Sequence, residues 1–99
     1  MTNIVAEINR DSINLADDMH DHIKVIGMDM QHDISTTIYN IAVWYLPEIA
    51  GRNHSWMCLF NGESVGIING NCAKVTMLCK ELKILSENKL YFKYHAAID

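Results

Sequence analysis

The chain has 99 residues, enough for one domain and too few for two. Its hydrophobic fraction of 49% and charged fraction of 20% exclude a disordered chain, and no apolar run approaches the ~20 residues of a membrane span. The formal charge of −4 is unevenly spread: residues 1–50 carry −6 and residues 51–99 carry +2, an asymmetry that bears on partners rather than on fold.

Residues 2–8 read TNIVAEI, in which Ile4, Ala6 and Ile8 alternate with Val5 and Glu7. That pattern suits a short strand and also permits a first helical turn; the polar break Asn9-Arg10-Asp11-Ser12 that follows favours the strand. Asp11 or Ser12 can cap a helix, because a short side-chain oxygen accepts from the free N–H groups of the first turn. Leu15, Met19, Ile23, Ile26 and Met30 then recur at three- and four-residue steps, which predicts one amphipathic helix. Gly27 weakens that helix by about 1 kcal/mol relative to alanine, and a strand over 23–28 is the alternative.

Asp33 reads as the N-cap of a second helix running to Leu46, with Ile34, Ile38, Ile41 and Tyr45 as its stripe. Every residue from Ile41 to Leu46 is apolar or aromatic, so this helix is expected to be buried on several sides or to meet another subunit. Pro47 ends it, and Gly51 can cap any residual turn.

The stretch SWMCLFNGESVGIING, residues 55–70, predicts a β-hairpin over 56–68. Two β-rich runs flank Asn61-Gly62, and Asn-Gly tolerates the positive φ angles of a tight hairpin turn. Gly66 inside the second run marks a bulge or a close backbone approach. Residues 73–85 place Val75, Leu78, Leu82 and Leu85 at helical spacing and predict a third helix, capped by Asn71. From 90 to 98, Leu90, Phe92, Tyr94, Ala96 and Ile98 alternate with Tyr91, Lys93, His95 and Ala97, which predicts a half-buried final strand.

The expected architecture is therefore α+β and two-layered. An antiparallel sheet of three to four strands is covered by two to three helices, and becomes a ferredoxin-like variant if residues 2–8 are a strand.

The densest group of polar side chains is Asp17, Asp18, His20, Asp21 and His22, with Asp29 close in sequence. On a helix, His20 and His22 would point about 200° apart, so the local geometry offers at most two metal ligands per face. A solvated acidic face is the plainer reading. Cys58, Cys72 and Cys79 are odd in number and show no C-x-x-C pair, which points to reduced thiols in a cytoplasm and to a packing role. Trp44, Tyr45 and Trp56 read as core, because large aromatics dominate the burial of small domains. Lys74, Lys80, Lys83, Lys89 and Lys93 with Tyr91 and Tyr94 form the one candidate nucleic-acid surface, weakened by the scarcity of arginine. The N-terminus lacks a basic stretch followed by an apolar core, so no secretory signal is expected.

No catalytic, cofactor or metal set is complete. The expected function is that of a small non-enzymatic interaction domain, a regulator, inhibitor or immunity-type protein. Its acidic face, Asp17, Asp18, His20, Asp21, His22 and Asp29, would dock a basic surface on a partner protein. A homodimer is expected through Ile41, Val43, Trp44 and Tyr45, with two-fold closure. Two alternatives belong to other classes: a small-molecule or metal-binding domain using the His/Asp cluster, and a nucleic-acid-associated regulator using the lysines.

Overall fold

A computed structural model of the chain describes residues 3–11, 22–47, 54–70 and 74–95. In chain order the elements are β1 (Asn3–Arg10), β2 (Lys24–Asp29), α1 (Ile34–Tyr45), β3 (Ser55–Phe60), β4 (Glu63–Asn69), β5 (Lys74–Met77) and β6 (Asn88–His95). The strands form one six-stranded sheet in the order β2-β1-β6-β3-β4-β5. β1 and β6 run parallel, and every other neighbouring pair is antiparallel. The sheet curls strongly into a half-barrel.

This corrects the two-layer α+β expectation, because the described residues are mostly strand with one helix. Two expected helices are the source of the error. Residues 24–29, expected as the end of a first helix, pair with β1 from Lys24 to Asp29. Met28 is 1% exposed while Val25 is 70% exposed, a period of two. Val25 and Ile26 are β-branched and Gly27 is a poor helix former, so pairing with β1 outweighs the helical spacing. Residues 12–21, the rest of that helix, lie outside the described residues.

The expected helix over 73–85 is β5 followed by irregular chain. Val75 and Met77 are half-buried and alternate with exposed Lys74 and Thr76. Of the predicted stripe, Leu78 and Leu85 are about half exposed. The open edge of β4 takes up this segment through Gly66↔Met77, Ile67↔Thr76 and Ile68↔Val75. Those ladder bonds satisfy backbone groups that an isolated helix of three turns would hold only weakly.

The other elements follow their sequence signals. Residues 3–8 of the expected strand lie within β1, and residue 2 lies outside the described residues. α1 begins at Asp33, whose carboxylate accepts from the Thr36 N–H at 2.8 Å and the Ser35 hydroxyl at 3.1 Å. Those bonds, Thr36's foremost, hold the Asp33 carboxyl below its usual range. The helix stops at Leu46, which is extended ahead of Pro47.

The hairpin β3–β4 turns at Asn61 (φ 51°) and Gly62 (φ 87°), two consecutive left-handed residues. Cys58 pairs with Gly66 but Leu59 with Ser64, so Val65 is the extra residue of a bulge, and Val65 and Gly66 are buried in succession. At Gly66 an added Cβ would lie 3.4 Å from Met77 Sδ and from the Thr76 carbonyl oxygen, a close approach of β5. Gly62→Val is expected to destabilise the fold by about 1–2 kcal/mol through its left-handed backbone alone, since open space surrounds the position. Melting within a degree of the parent would contradict this.

Asn61 also fastens the turn to β6. It exchanges bonds with Lys89: its N–H donates to the Lys89 carbonyl and its side-chain oxygen accepts from the Lys89 N–H, both at 2.8 Å. Its amide donates at 3.0 Å to buried Asn88, whose own side chain accepts from the Leu85 N–H at 2.8 Å. At the far end of β1, Asp11 accepts from the Tyr91 hydroxyl and, at 2.9 Å, from the Tyr94 N–H.

The core fills the space between sheet and helix. Ala6, Ile8, Met28, Trp56, Cys58, Phe60, Val65, Ile68, Leu90 and Phe92 come from the strands, and Ile38, Ile41, Ala42 and Tyr45 from α1. Among the described residues no helix is long and apolar enough to cross a membrane.

Candidate interaction surface

α1 packs against β5 on one side and faces β2 across a groove on the other. Hydroxyls bridge helix and strand at both ends of that groove. The Thr37 hydroxyl lies 3.1 Å from the Asp29 carbonyl oxygen, and the Tyr45 hydroxyl donates to the His22 carbonyl. In that groove lies a cavity of about 240 Å³, lined by Ile26, Met28, Ile41 and Trp44 and by the polar side chains of Asp29, His32, Thr37 and Asn40. His32 Nε2 and Asp29 Oδ2 are 3.8 Å apart and both side chains are more than half exposed, a weakly coupled pair.

The run Ile41–Leu46 divides between two environments. Ile41 and Tyr45 are 6% and 8% exposed and belong to the core, where the Tyr45 ring stands 5.9 Å from Phe92. Val43 and Trp44 are 51% and 54% exposed. The outward face of α1 thus carries Tyr39, Val43 and Trp44, and Trp44 leans on Tyr45 edge to face at 5.8 Å.

Of the acidic group, Asp17, Asp18, His20 and Asp21 lie outside the described residues. His22 just precedes β2 and Asp29 ends it, so about 23 Å of extended chain separates them. They do not share a helix face.

The lysines are dispersed. Lys89 and Lys93 are exposed on β6, Lys74 is on β5 roughly 14 Å away across the sheet, and Lys80 and Lys83 lie in the irregular stretch between. Tyr94 points to the other side of β6 from Lys93 and packs on Trp56 at 5.1 Å.

Cys58 is fully buried, and burial, with Cys79 nearby, pushes its thiol up to about 12. A thiol so held is a poor nucleophile. Cys72 lies outside the described residues, and Cys58 and Cys79 are both free. Among the described residues no group of three or more His, Cys, Asp or Glu could hold a metal ion.

The groove itself escaped the sequence reading. Its lining joins a strand residue, Met28, to helix residues 41 and 44, and the signal that could have found it was the alternative strand over 23–28. Comparison of the chain with protein-family models, with curated proteins and with solved structures gives no match.

Proposed function

We propose that this chain is a non-enzymatic protein-interaction domain, a regulator, inhibitor or immunity-type protein, that binds another polypeptide along α1 and the neighbouring sheet edge. The observation that carries the reading is the half-exposed Trp44, which lines the groove between α1 and β2 together with Ile26, Met28 and Ile41. Tryptophan is among the residues that most often dominate binding energy when a partner buries it. A sheet edge beside a helix is also a ready template for an added polypeptide segment. A partner with a basic surface suits the Asp29 end of the groove and the acid-rich first half of the chain.

A photo-reactive amino acid at position 43, introduced in the source cell, tests the reading. It is expected to give a discrete cross-linked protein that the same group at position 76 does not give. Trp44→Ala should abolish the cross-link while changing stability by no more than about 0.5 kcal/mol, because the ring is largely outside the core. No cross-link at position 43, or one indifferent to Trp44→Ala, would overturn the proposal.

A further inference from the structure

The turn of the β3–β4 hairpin is held by side-chain bonds from outside the hairpin. The Asn61 amide donates at 3.0 Å to the Lys83 carbonyl and at 3.0 Å to the Asn88 side-chain oxygen, and its own oxygen accepts from the Lys89 N–H at 2.8 Å. Asn88, 6% exposed, continues the network. It accepts from the Leu85 N–H at 2.8 Å and donates to the Leu85 carbonyl at 3.1 Å and to the Val5 carbonyl at 3.4 Å. Two amides thus tie the turn to β1, to the start of β6 and to the irregular stretch ahead of β6. The orientation of the Asn61 amide is fixed, because the reverse would set its oxygen against two other acceptors.

Asn61 precedes Gly62, which is exposed and has open space where a Cβ would stand. An asparagine before a glycine is the pair most prone to spontaneous deamidation, since no side chain shields the following nitrogen. Hydroxide takes the Gly62 N–H proton, and the nitrogen attacks the Asn61 Cγ. A C–N bond forms and closes a cyclic imide; the Cγ–Nδ2 bond breaks, and the departing nitrogen takes a proton from water and leaves as ammonia. Water then opens the ring at either carbonyl, giving aspartate or isoaspartate. The sum is one water consumed and one ammonia released.

We infer that Asn61 is a deamidation site which the folded chain holds closed, and whose reaction releases the stretch 83–88 from the hairpin turn. The inference is independent of what binds along α1. Attack requires Cγ to swing onto the Gly62 nitrogen, whereas three bonds hold the side chain toward Lys83, Asn88 and Lys89. Those bonds must break first, so the rate in the folded chain follows the population of the opened turn. Once formed, the carboxylate has no hydrogen to donate. An oxygen then faces the Lys83 carbonyl and the Asn88 oxygen, which the Leu85 N–H keeps in place. Buried Asn88 loses one partner and meets a charge of the wrong sign for its oxygen. Opening therefore admits the reaction, and the reaction favours further opening. The chain's other Asn-Gly pair, Asn69-Gly70, is held differently: there the nitrogen is engaged, the Gly70 N–H donating to the His54 carbonyl at 2.9 Å.

The test follows deamidation of the full chain in mildly alkaline buffer and in concentrated guanidinium chloride. Peptide mapping by mass spectrometry separates Asn61 from Asn69. Asn61 should react about tenfold or more slowly in the folded chain than in guanidinium. Asn61→Asp reproduces the product with a left-handed backbone that suits both residues, φ being 51°. It should lower the melting temperature by about 5 °C or more. Hydrogen exchange at the Leu85 N–H should rise by about tenfold in the same variant. Equal rates at Asn61 in the two solvents overturn the inference, as does no reaction at Asn61 in guanidinium. So does an Asn61→Asp chain that melts with the parent or keeps the parent's exchange at Leu85. The comparison of rates needs no variant, and decides alone if Asn61→Asp does not fold.

Discussion

Trp56→Ala is expected to destabilise the protein by about 3–5 kcal/mol, the range for deleting a large buried aromatic. Trp56 sits on β3, the strand between β6 and β4, and is 1% exposed. It pairs with Ile68 on one side and Tyr94 on the other, and its ring meets Tyr94 at 5.1 Å with the planes 61° apart. Truncation removes the transfer free energy of the indole and leaves a cavity that two flanking strands, held by ladder bonds, cannot close. A domain of this size has a total stability of about 5–15 kcal/mol, so the variant should lose about a fifth of it or more. Chemical denaturation of the variant beside Trp44→Ala isolates the effect of burial. The same chemical change at position 44, 54% exposed, should move the midpoint little. A loss below about 1 kcal/mol at Trp56 would mean that the core is not organised around β3.

The second large effect is a loss of stability in alkali. Burial, then the neighbouring Cys79, raises the Cys58 thiol from 9.0 to about 12. Tyr91 rises from 10.0 to about 12, first because its hydroxyl donates to Asp11, then through burial and the Asp11 charge. In both groups the neutral form is favoured by the fold. The unfolded chain gives up these protons near pH 9 and 10, while the folded chain keeps them. The contribution is therefore complete below about pH 9 and disappears as pH rises toward 12. For Cys58 the full difference is on the order of 4 kcal/mol, at about 1.4 kcal/mol per pH unit. Urea midpoints from pH 8 to 11.5 should fall steeply in the parent. Cys58→Ala should start lower, because a small cavity is made, and then fall less steeply, and Tyr91→Phe should flatten the curve above pH 10. Equal slopes in parent and Cys58→Ala would show that the thiol does not resist ionisation in the folded state.

Trp56 read as core in the sequence from its size alone, and it is buried. The run from Trp56 to Phe60 is uniformly apolar, so only the fold shows that 56, 58 and 60 face inward while 57 and 59 are half-buried. The period of two in Leu90, Phe92 and Tyr94 agrees with β6 over residues 90–95, and residues 96–98 of the expected strand lie outside the described residues. Asp33 as N-cap and Pro47 as terminator bound α1 within a residue or two, because capping and the missing proline N–H act locally. Asn61-Gly62 determined the turn for the same reason.

The two misread segments have the opposite character. In Lys74–Met77 and Lys24–Asp29 the apolar residues are few enough to satisfy either period. Helical spacing could be drawn from Val75 through Leu78, Leu82 and Leu85 only by counting side chains that are half exposed in the fold. What decided them was the presence of β4 and β1 with open edges, a fact of distant chain that no local window contains. The candidate surface was hidden likewise. The stripe Ile34, Ile38, Ile41 and Tyr45 marks the buried face in the sequence, but the apolar run Ile41–Leu46 carries no sign that Val43 and Trp44 meet water. The sequence by itself determined the hairpin, the helix and its ends, and the alternating strands, because turn angles, caps and side-chain period are properties of neighbouring residues. Only the tertiary structure decided that the described residues form one six-stranded sheet with β2 at its end, and that Trp44 is half exposed beside it, because strand pairing and burial are settled between residues far apart in the chain.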